Sequence, residues 1–280
     1  MRRRSSTARR ARGASRVRTL GSAKGAIRML TEEDFHRFTE FRCGAMGARL
    51  REMVDDPAFD AMTFEEKMKD LIDAEVASRQ ERKIAKLVKR AGFKIPDACV
   101  EDIVYLPDRK LSKDRILRLS ECRWVEDRGN VVIISKTSRG KSYIAQALGT
   151  AACRKAHDVV YTRLSDMCSK LNQARDANDG SYYETISSLK LATLLIIDDF
   201  MTTPIKTVNA IDLFEIMEAR EGLGATLIAS QLEPNEWYLR IEGELMADSI
   251  LNRIATGATF IDIEGPSMRE YFAKKNAKEQ

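Results

Sequence analysis

Short apolar runs alternate with amphipathic stretches through the second half of the chain. Helical periodicity fills the intervals between these runs, and each run has the length of a strand buried on both faces. The predicted strands are Val131–Ile134, Val159–Tyr161, Leu194–Ile197, Ala225–Ala229 and Thr259–Ile263. The alternation predicts an α/β fold with three layers, in which helices cover a parallel five-stranded sheet.

A helical pattern covers the first part of the chain, from Thr31 to Ile95. Thr63 and Glu66 have the spacing of a capping box, which predicts a helix that starts after Thr63 and continues to Ala91. Leu111–Val125 predicts one further helix before the first strand. The predicted domains are a basic disordered tail at 1–30, a helical N-terminal domain at 31–107, and an α/β domain at 108–280.

The tail carries the excess positive charge of the protein. Residues 1–28 hold ten Lys or Arg and no acid, whereas the whole chain of 280 residues has a net charge of +5. Such a segment predicts disorder and a sequence-independent contact with DNA phosphates. An organellar transit peptide is one alternative, and an upstream start codon, with Met29 or Met46 as the true start, is another.

A second basic region lies on the predicted helix before Gly92. Its basic side chains recur three or four residues apart, so they share one side of the helix. They are Arg79, Arg82, Lys83, Lys86 and Arg90. A solvated face is the ordinary meaning of such charge, but the near absence of acids here favours duplex DNA or an acidic partner.

A phosphate-binding loop follows the first predicted strand. The residues Gly140-Lys141-Ser142 end the pattern G-x-x-x-x-G-K-[ST], although Ser135 replaces its first glycine. The predicted ATP-binding loop consists of Ser135, Lys136, Thr137, Ser138, Arg139, Gly140, Lys141 and Ser142. We expect Lys141 to reach the β- and γ-phosphates and the Ser142 hydroxyl to hold Mg²⁺.

Two carboxylates end the third predicted strand. We expect Asp198 to complete the Mg²⁺ site and Asp199 to polarise the attacking water. Gln231 follows the fourth strand at the same edge of the sheet, where it either orients that water, reads the γ-phosphate, or is an ordinary polar loop residue. Arg253 is either a surface arginine or one that neutralises the γ-phosphate of a neighbouring subunit.

The remaining composition excludes several classes of protein. Five cysteines lie without C-x-x-C spacing, and two histidines are present, which argues against a zinc site, a disulfide framework and histidine-based catalysis. No apolar run approaches the length of a membrane span. These features predict a cytoplasmic protein without a membrane partner.

The ordered motifs resemble the IstB-like transposition helper ATPases of bacterial insertion sequences, a branch of the AAA+ proteins close to the DnaC-type helicase loaders. The resemblance runs from Phe41 to Arg269. Its pieces are Asp73-Ala74-Glu75, Arg79, Trp124, Lys141-Ser142-Tyr143-Ile144-Ala145, Ala147-Leu148-Gly149, Asp198-Asp199, Ser230-Gln231-Leu232, Trp237, Asp248, Ile250, Arg253, Gly265 and Ser267-Met268-Arg269. It implies an AAA+ core that forms ATP-dependent oligomers on duplex DNA and recruits or stimulates a transposase.

The resemblance also implies Gln231 as sensor and Arg253 as arginine finger. The chain departs from the family pattern where serine replaces glycine at Ser135 and Ser138, and where Asn252 replaces an aspartate. We therefore expect a weakened ATP site that two restored glycines would tighten. The first functional hypothesis is an ATP-hydrolysing, DNA-binding helper of transposition. The alternatives are a DnaC-type helicase loader and a non-hydrolysing DNA-binding adaptor whose nucleotide site has decayed.

Overall fold

Five parallel strands form one sheet in the computed structural model, which describes residues 30–279. The strands are β1 Asn130–Ser135, β2 Val159–Arg163, β3 Leu194–Phe200, β4 Ala225–Ser230 and β5 Thr259–Ile263. Their spatial order is β2-β3-β4-β1-β5. All five predicted strands are confirmed, and β1 to β4 are each extended by one to three residues. The strands β1, β3 and β4 occupy the middle of the sheet, which explains their nearly unbroken apolar sequences.

Helices connect the strands and also make up the first part of the described chain. They are α1 Glu32–Glu40, α2 Gly44–Asp55, α3 Phe64–Ala91, α4 Lys113–Ser120, α5 Arg123–Glu126, α6 Lys141–Arg154, α7 Leu164–Ala177, α8 Ser181–Leu191, α9 Thr207–Arg220, α10 Pro234–Tyr238, α11 Glu244–Ala255 and α12 Met268–Glu279. All four strand pairs are parallel. At least one helix lies between each strand and the next along the chain, as the alternation of the sequence predicts.

Alternate residues of each strand enter two different hydrophobic clusters. Val131 and Ile133 pack with α6 on one face of the sheet, whereas Val132 and Ile134 pack with α9 and α11 on the other. All four of these side chains are buried, because side chains of a strand point alternately to the two faces. The α/β fold in three layers is therefore confirmed.

The predicted helix boundaries are correct at Thr63 and wrong after Leu111. The Thr63 N–H donates to Glu66 Oε2 at 2.8 Å, and the Glu66 N–H donates to Thr63 Oγ1 at 3.3 Å, so the capping box forms. The single helix predicted over Leu111–Val125 is instead two helices, α4 and α5. Cys122 separates them with φ of 61°, a conformation that no helix interior contains.

The chain divides by contacts into two units, 1–75 and 76–280, each described by itself. In the first unit, the buried Glu75 carboxylate accepts the N–H groups of Ala45 and Met46 at the start of α2. In the second, Leu87, Ala91 and Phe93 belong to the core cluster that also contains β1. The last part of α3 and the residues that follow it therefore belong to the second unit, and the boundary between the units lies well before residue 107. The domains at 31–107 and 108–280 remain a proposal, and the tail lies outside the described residues.

Candidate functional site

The phosphate loop connects the end of β1 to the start of α6. Gly140 is the N-cap residue of α6, with φ of 91°, and Ser138 also has a positive φ, of 65°. Lys141 and Ser142 form the first turn of α6, where free backbone N–H groups and the helix dipole favour an anion. The loop therefore has the placement that a phosphate-binding loop requires.

Asp198 lies at the centre of a buried hydrogen-bond cluster beside this helix start. Its Oδ1 accepts the Ser142 hydroxyl at 3.1 Å, and its Oδ2 accepts the Tyr161 hydroxyl at 2.8 Å. Asp198 has no exposed surface. Burial, and then the neighbouring Asp198 charge, raise the pKa of Tyr161, so the phenol remains a proton donor across the physiological range. The predicted pair of Ser142 and Asp198 is thus brought together.

Asp199 turns toward the loop because β3 is irregular at this point. The register between β3 and β4 shifts between Ile197 and Phe200, and Asp199 has φ of 49°. A bulge of this kind re-aims a side chain that would otherwise follow the strand alternation. Asp199 Oδ1 lies 3.5 Å from the Lys141 Nζ, and its Oδ2 lies 3.3 Å from the Arg163 Nε. The second carboxylate therefore faces two cations.

Gln231 meets the loop from the end of β4. Its Oε1 accepts the Thr137 hydroxyl at 2.6 Å. Both residues line a cavity of about 460 Å³, together with Lys141, Ser142 and Asp199. The carboxyl ends of β1, β3 and β4 thus meet at one opening, as expected for a parallel sheet.

A second cavity, of about 390 Å³, lies next to the first and shares Gly140, Tyr143, Met268 and Phe272 with it. Much of its wall is apolar, with Ile103 and Ile144 among the side chains that line it. The two cavities are thus adjacent, one lined by Lys141, Ser142 and Asp199 and the other by Ile103 and Ile144.

Arg253 does not reach this opening in its own chain. The Asn130 side chain donates to the Arg253 carbonyl at 2.8 Å, which places Arg253 by the first residue of β1, whereas the loop follows the last. Six residues of strand span roughly 20 Å. The guanidinium lies 3.1 Å from the Glu221 carboxylate and 3.7 Å from that of Glu218. Its predicted role therefore requires another subunit.

The residues that face the loop fit a magnesium ion. Mg²⁺ prefers oxygen ligands and keeps several waters and substrate phosphates in its shell, so few protein oxygens suffice. Ser142 Oγ and Asp198 Oδ1 supply two such oxygens side by side. Within residues 30–279, no cluster of three or more His, Cys, Asp or Glu suits a metal ion. The site would thus hold Mg²⁺ only together with a phosphate ligand.

Three residues of the site were missed from the sequence. Tyr161 and Arg163 lie at the carboxyl end of β2, where the same rule that singled out Gln231 would have found them. Arg109 is buried and donates through Nη2 to the Arg139 carbonyl at 2.6 Å. No local signal marks Arg109, because its partner lies thirty residues further along the chain.

The sheet order, the loop and the acidic pair define a P-loop protein with the AAA+ fold. The family model for the IstB-like ATP binding protein matches residues 38–277, and the chain belongs to this family. A protein named as the ATP-binding protein of insertion sequence IS1162, from Pseudomonas fluorescens, is 31% identical over 73% of this chain and 87% of its own. One from Sinorhizobium fredii, named for an insertion sequence and for ATP binding, is 31% identical over 86% and 96%.

Solved structures with the same fold are more distant in sequence. An AMPPCP-bound DnaA from Aquifex aeolicus has a TM-score of 0.53 at 19% identity, covering 66% of this chain and 56% of that one. A structure titled DnaI has a TM-score of 0.52 at 17% identity, covering 64% and 93%. These likenesses establish the fold, while the family supports ATP binding.

The part of the chain that the structure describes contains no helix with the length and apolar character needed to cross a membrane.

Proposed function

We propose that the protein is an ATP-hydrolysing, DNA-binding helper of transposition that recruits or stimulates a transposase. The observation that carries the proposal is the convergence of Lys141, Ser142, Asp198 and Asp199 at one opening. A site that only bound an anion would need the loop but not two carboxylates beside it. The names of the relatives, which place them in insertion sequences, support the biological setting.

Each of these residues has a distinct role in the proposed reaction. The N–H groups at the start of α6 and the Lys141 ammonium bind the phosphates of ATP. Ser142 and Asp198 would hold Mg²⁺, which would supply neutralisation of the charge on the phosphates. Asp199 accepts a proton from the attacking water, and Gln231 orients that water or contacts the γ-phosphate.

The ion pairs of Asp199 suggest how ATP prepares this base. In the structure Lys141 and Arg163 both lie near its carboxylate. A triphosphate in the loop would compete for the Lys141 ammonium, because several phosphate charges outweigh one carboxylate. Asp199 would then be freer to bind water. The adjoining apolar cavity of about 390 Å³ suits the purine base of the same nucleotide.

The DNA contact is proposed for the basic side of α3. Its five basic residues are all exposed, although Arg90 lies 2.5 Å from the Asp158 carboxylate. Exposed Lys and Arg on one side of a helix bind phosphates and release counterions. The basic tail would add further contacts. Self-association on DNA would bring Arg253 of one subunit to the ATP of the next.

An ATPase assay with and without duplex DNA tests the proposal. We expect the purified protein to hydrolyse ATP and duplex DNA to change the rate. Lys141→Ala should lose nucleotide binding and ATP-dependent assembly on DNA, because the only cation of α6 at the phosphates is removed. Asp199→Asn should still bind ATP but stall before hydrolysis. A Lys141→Ala variant that assembles like the wild type would contradict the proposed nucleotide site.

The two loop serines favour one alternative, a DNA-binding adaptor that does not hydrolyse ATP. At two positions where the family's loop has glycine, this chain has serine, which carries a side chain. ATP binding without turnover, with or without duplex DNA, in a wild-type protein that still binds DNA would support the adaptor. A hydrolysis rate that Asp199→Asn abolishes would exclude it.

A further inference from the structure

Two backbone carbonyl groups of the phosphate loop accept hydrogen bonds from residues outside the loop. The Met268 N–H at the start of α12 donates to the Ser138 carbonyl at 2.8 Å. The Arg109 Nη2 donates to the next carbonyl, that of Arg139, at 2.6 Å. Neither donor belongs to the loop or to the strand and helix that it connects.

Arg109 is buried and closely packed where it makes this contact. Its side chain is 2% exposed, its Nη1 donates to the Val104 carbonyl, and its Nε has no hydrogen-bond partner among the described residues. Gly265 packs so closely that a Cβ there would lie 3.1 Å from the Arg109 Cα. A buried cation is costly unless it is well paired, so its placement against the loop requires an explanation.

The planarity of the peptide bond supplies that explanation. All peptide bonds described are trans, so each C=O points opposite to the N–H of the following residue. The bond from Arg109 to the Arg139 carbonyl therefore directs the Gly140 N–H away from Arg109. In the same way, the bond from Met268 directs the Arg139 N–H away from α12. Two successive loop N–H groups are thus oriented from outside, as in an anion-binding nest.

We propose that Arg109 and the Met268 N–H are positioning groups for ATP, which orient the Arg139 and Gly140 N–H groups toward the phosphates. The inference rests on the proposed nucleotide site and deepens it. A loop with glycine at position 138 can adopt the positive φ found there at little cost, whereas serine is strained in that conformation. External anchoring offsets this strain, because the conformation is held before the nucleotide arrives.

Binding of magnesium tripolyphosphate and of MgATP, each measured by calorimetry, tests the role of Arg109. Tripolyphosphate has no base, so it reports the loop without the apolar cavity. Arg109→Met should weaken both ligands by the same factor, at least tenfold, because the oriented N–H groups are lost. Arg109→Lys keeps the charge but can reach one carbonyl at a time, so it should recover part of the affinity. Equal affinities in wild type and a folded Arg109→Met variant would overturn the proposal.

Arg220→Met is the matched control. Arg220 is also a buried arginine, 1% exposed, that donates to backbone carbonyls, among them those of Leu189 and Ala192. These carbonyls lie before the first residue of β3, at the sheet end opposite the loop. Its removal should lower thermal stability and leave tripolyphosphate affinity within twofold of wild type. An equal fall in affinity in both variants would assign Arg109 a merely structural role.

A second variant keeps the proposal testable if Arg109→Met does not fold. Met268→Pro removes only the N–H donor from the backbone, at the first helical residue, where proline is well tolerated. It should weaken tripolyphosphate binding severalfold relative to Met268→Ala, which also truncates the cavity-lining side chain but keeps the N–H. Identical affinities for the two variants would refute the role of the Met268 N–H. A wild type that binds neither ligand would refute the nucleotide site itself, which is a different outcome.

Discussion

Replacing each loop serine by glycine should have opposite effects on stability. The sequence suggested that both serines weaken ATP binding, but the structure separates them. Ser138 has φ of 65°, whereas Ser135 ends β1 without a positive φ and is 4% exposed. The left-handed conformation costs a residue with a side chain about 1–2 kcal/mol, and glycine avoids that cost.

The magnitude follows from the folded and unfolded states together. Glycine at position 138 removes the strain from the folded state. It also increases the conformational entropy of the unfolded chain, which lowers stability by about 0.4–1 kcal/mol. The net stabilisation is then about 0–1.6 kcal/mol, and its central value of about 0.8 kcal/mol raises Tm by about 2–3 °C for a unit of this size. Glycine at position 135 relieves no strain and weakens a strand by about 0.5–1 kcal/mol, so Tm should fall by a similar amount.

Thermal unfolding without nucleotide, followed by calorimetric titration with MgATP, measures both quantities. Because the positive φ of Ser138 belongs to the folded loop itself, Ser138→Gly should raise Tm and change ATP affinity less than twofold. A fivefold or greater gain in affinity with unchanged Tm would refute this reasoning. It would mean that the loop relaxes in the free protein and that the strain arises only when ATP binds.

Three further predictions test other parts of the molecule. Tyr161→Phe should destabilise the fold by about 1–3 kcal/mol in chemical denaturation, because one oxygen of the buried Asp198 loses its donor. Deleting residues 1–28 should make the salt dependence of DNA affinity shallower, by about 0.9 in slope for each phosphate that the tail neutralises; an unchanged slope would exclude the tail. The Thr63 N–H and hydroxyl lower the pKa of Glu66, so its capping interaction is lost as pH falls through that lowered pKa; Thr63→Ala should raise the pKa in an NMR titration.

Local patterns were sufficient to identify the strands, the capping box and the phosphate loop. Each of these depends on residues close in sequence, such as the alternation of β5 or the spacing from Thr63 to Glu66. The rule that ligands bind beyond the carboxyl ends of parallel strands then grouped Asp198, Asp199 and Gln231. The break at Cys122 was not predicted, because Leu111–Val125 has apolar spacing that fits one helix as well as two.

The sequence by itself therefore determined the layered α/β fold and the loop, acidic and glutamine residues of the proposed nucleotide site, but not Tyr161, Arg163 or Arg109. Only the tertiary structure decided how these residues are held. The bulge that turns Asp199, the pairing of Tyr161 with Asp198, and the bond from Arg109 to the Arg139 carbonyl all join elements distant along the chain. These contacts depend on how whole strands and helices pack together, so the periodicity within any one segment cannot predict them.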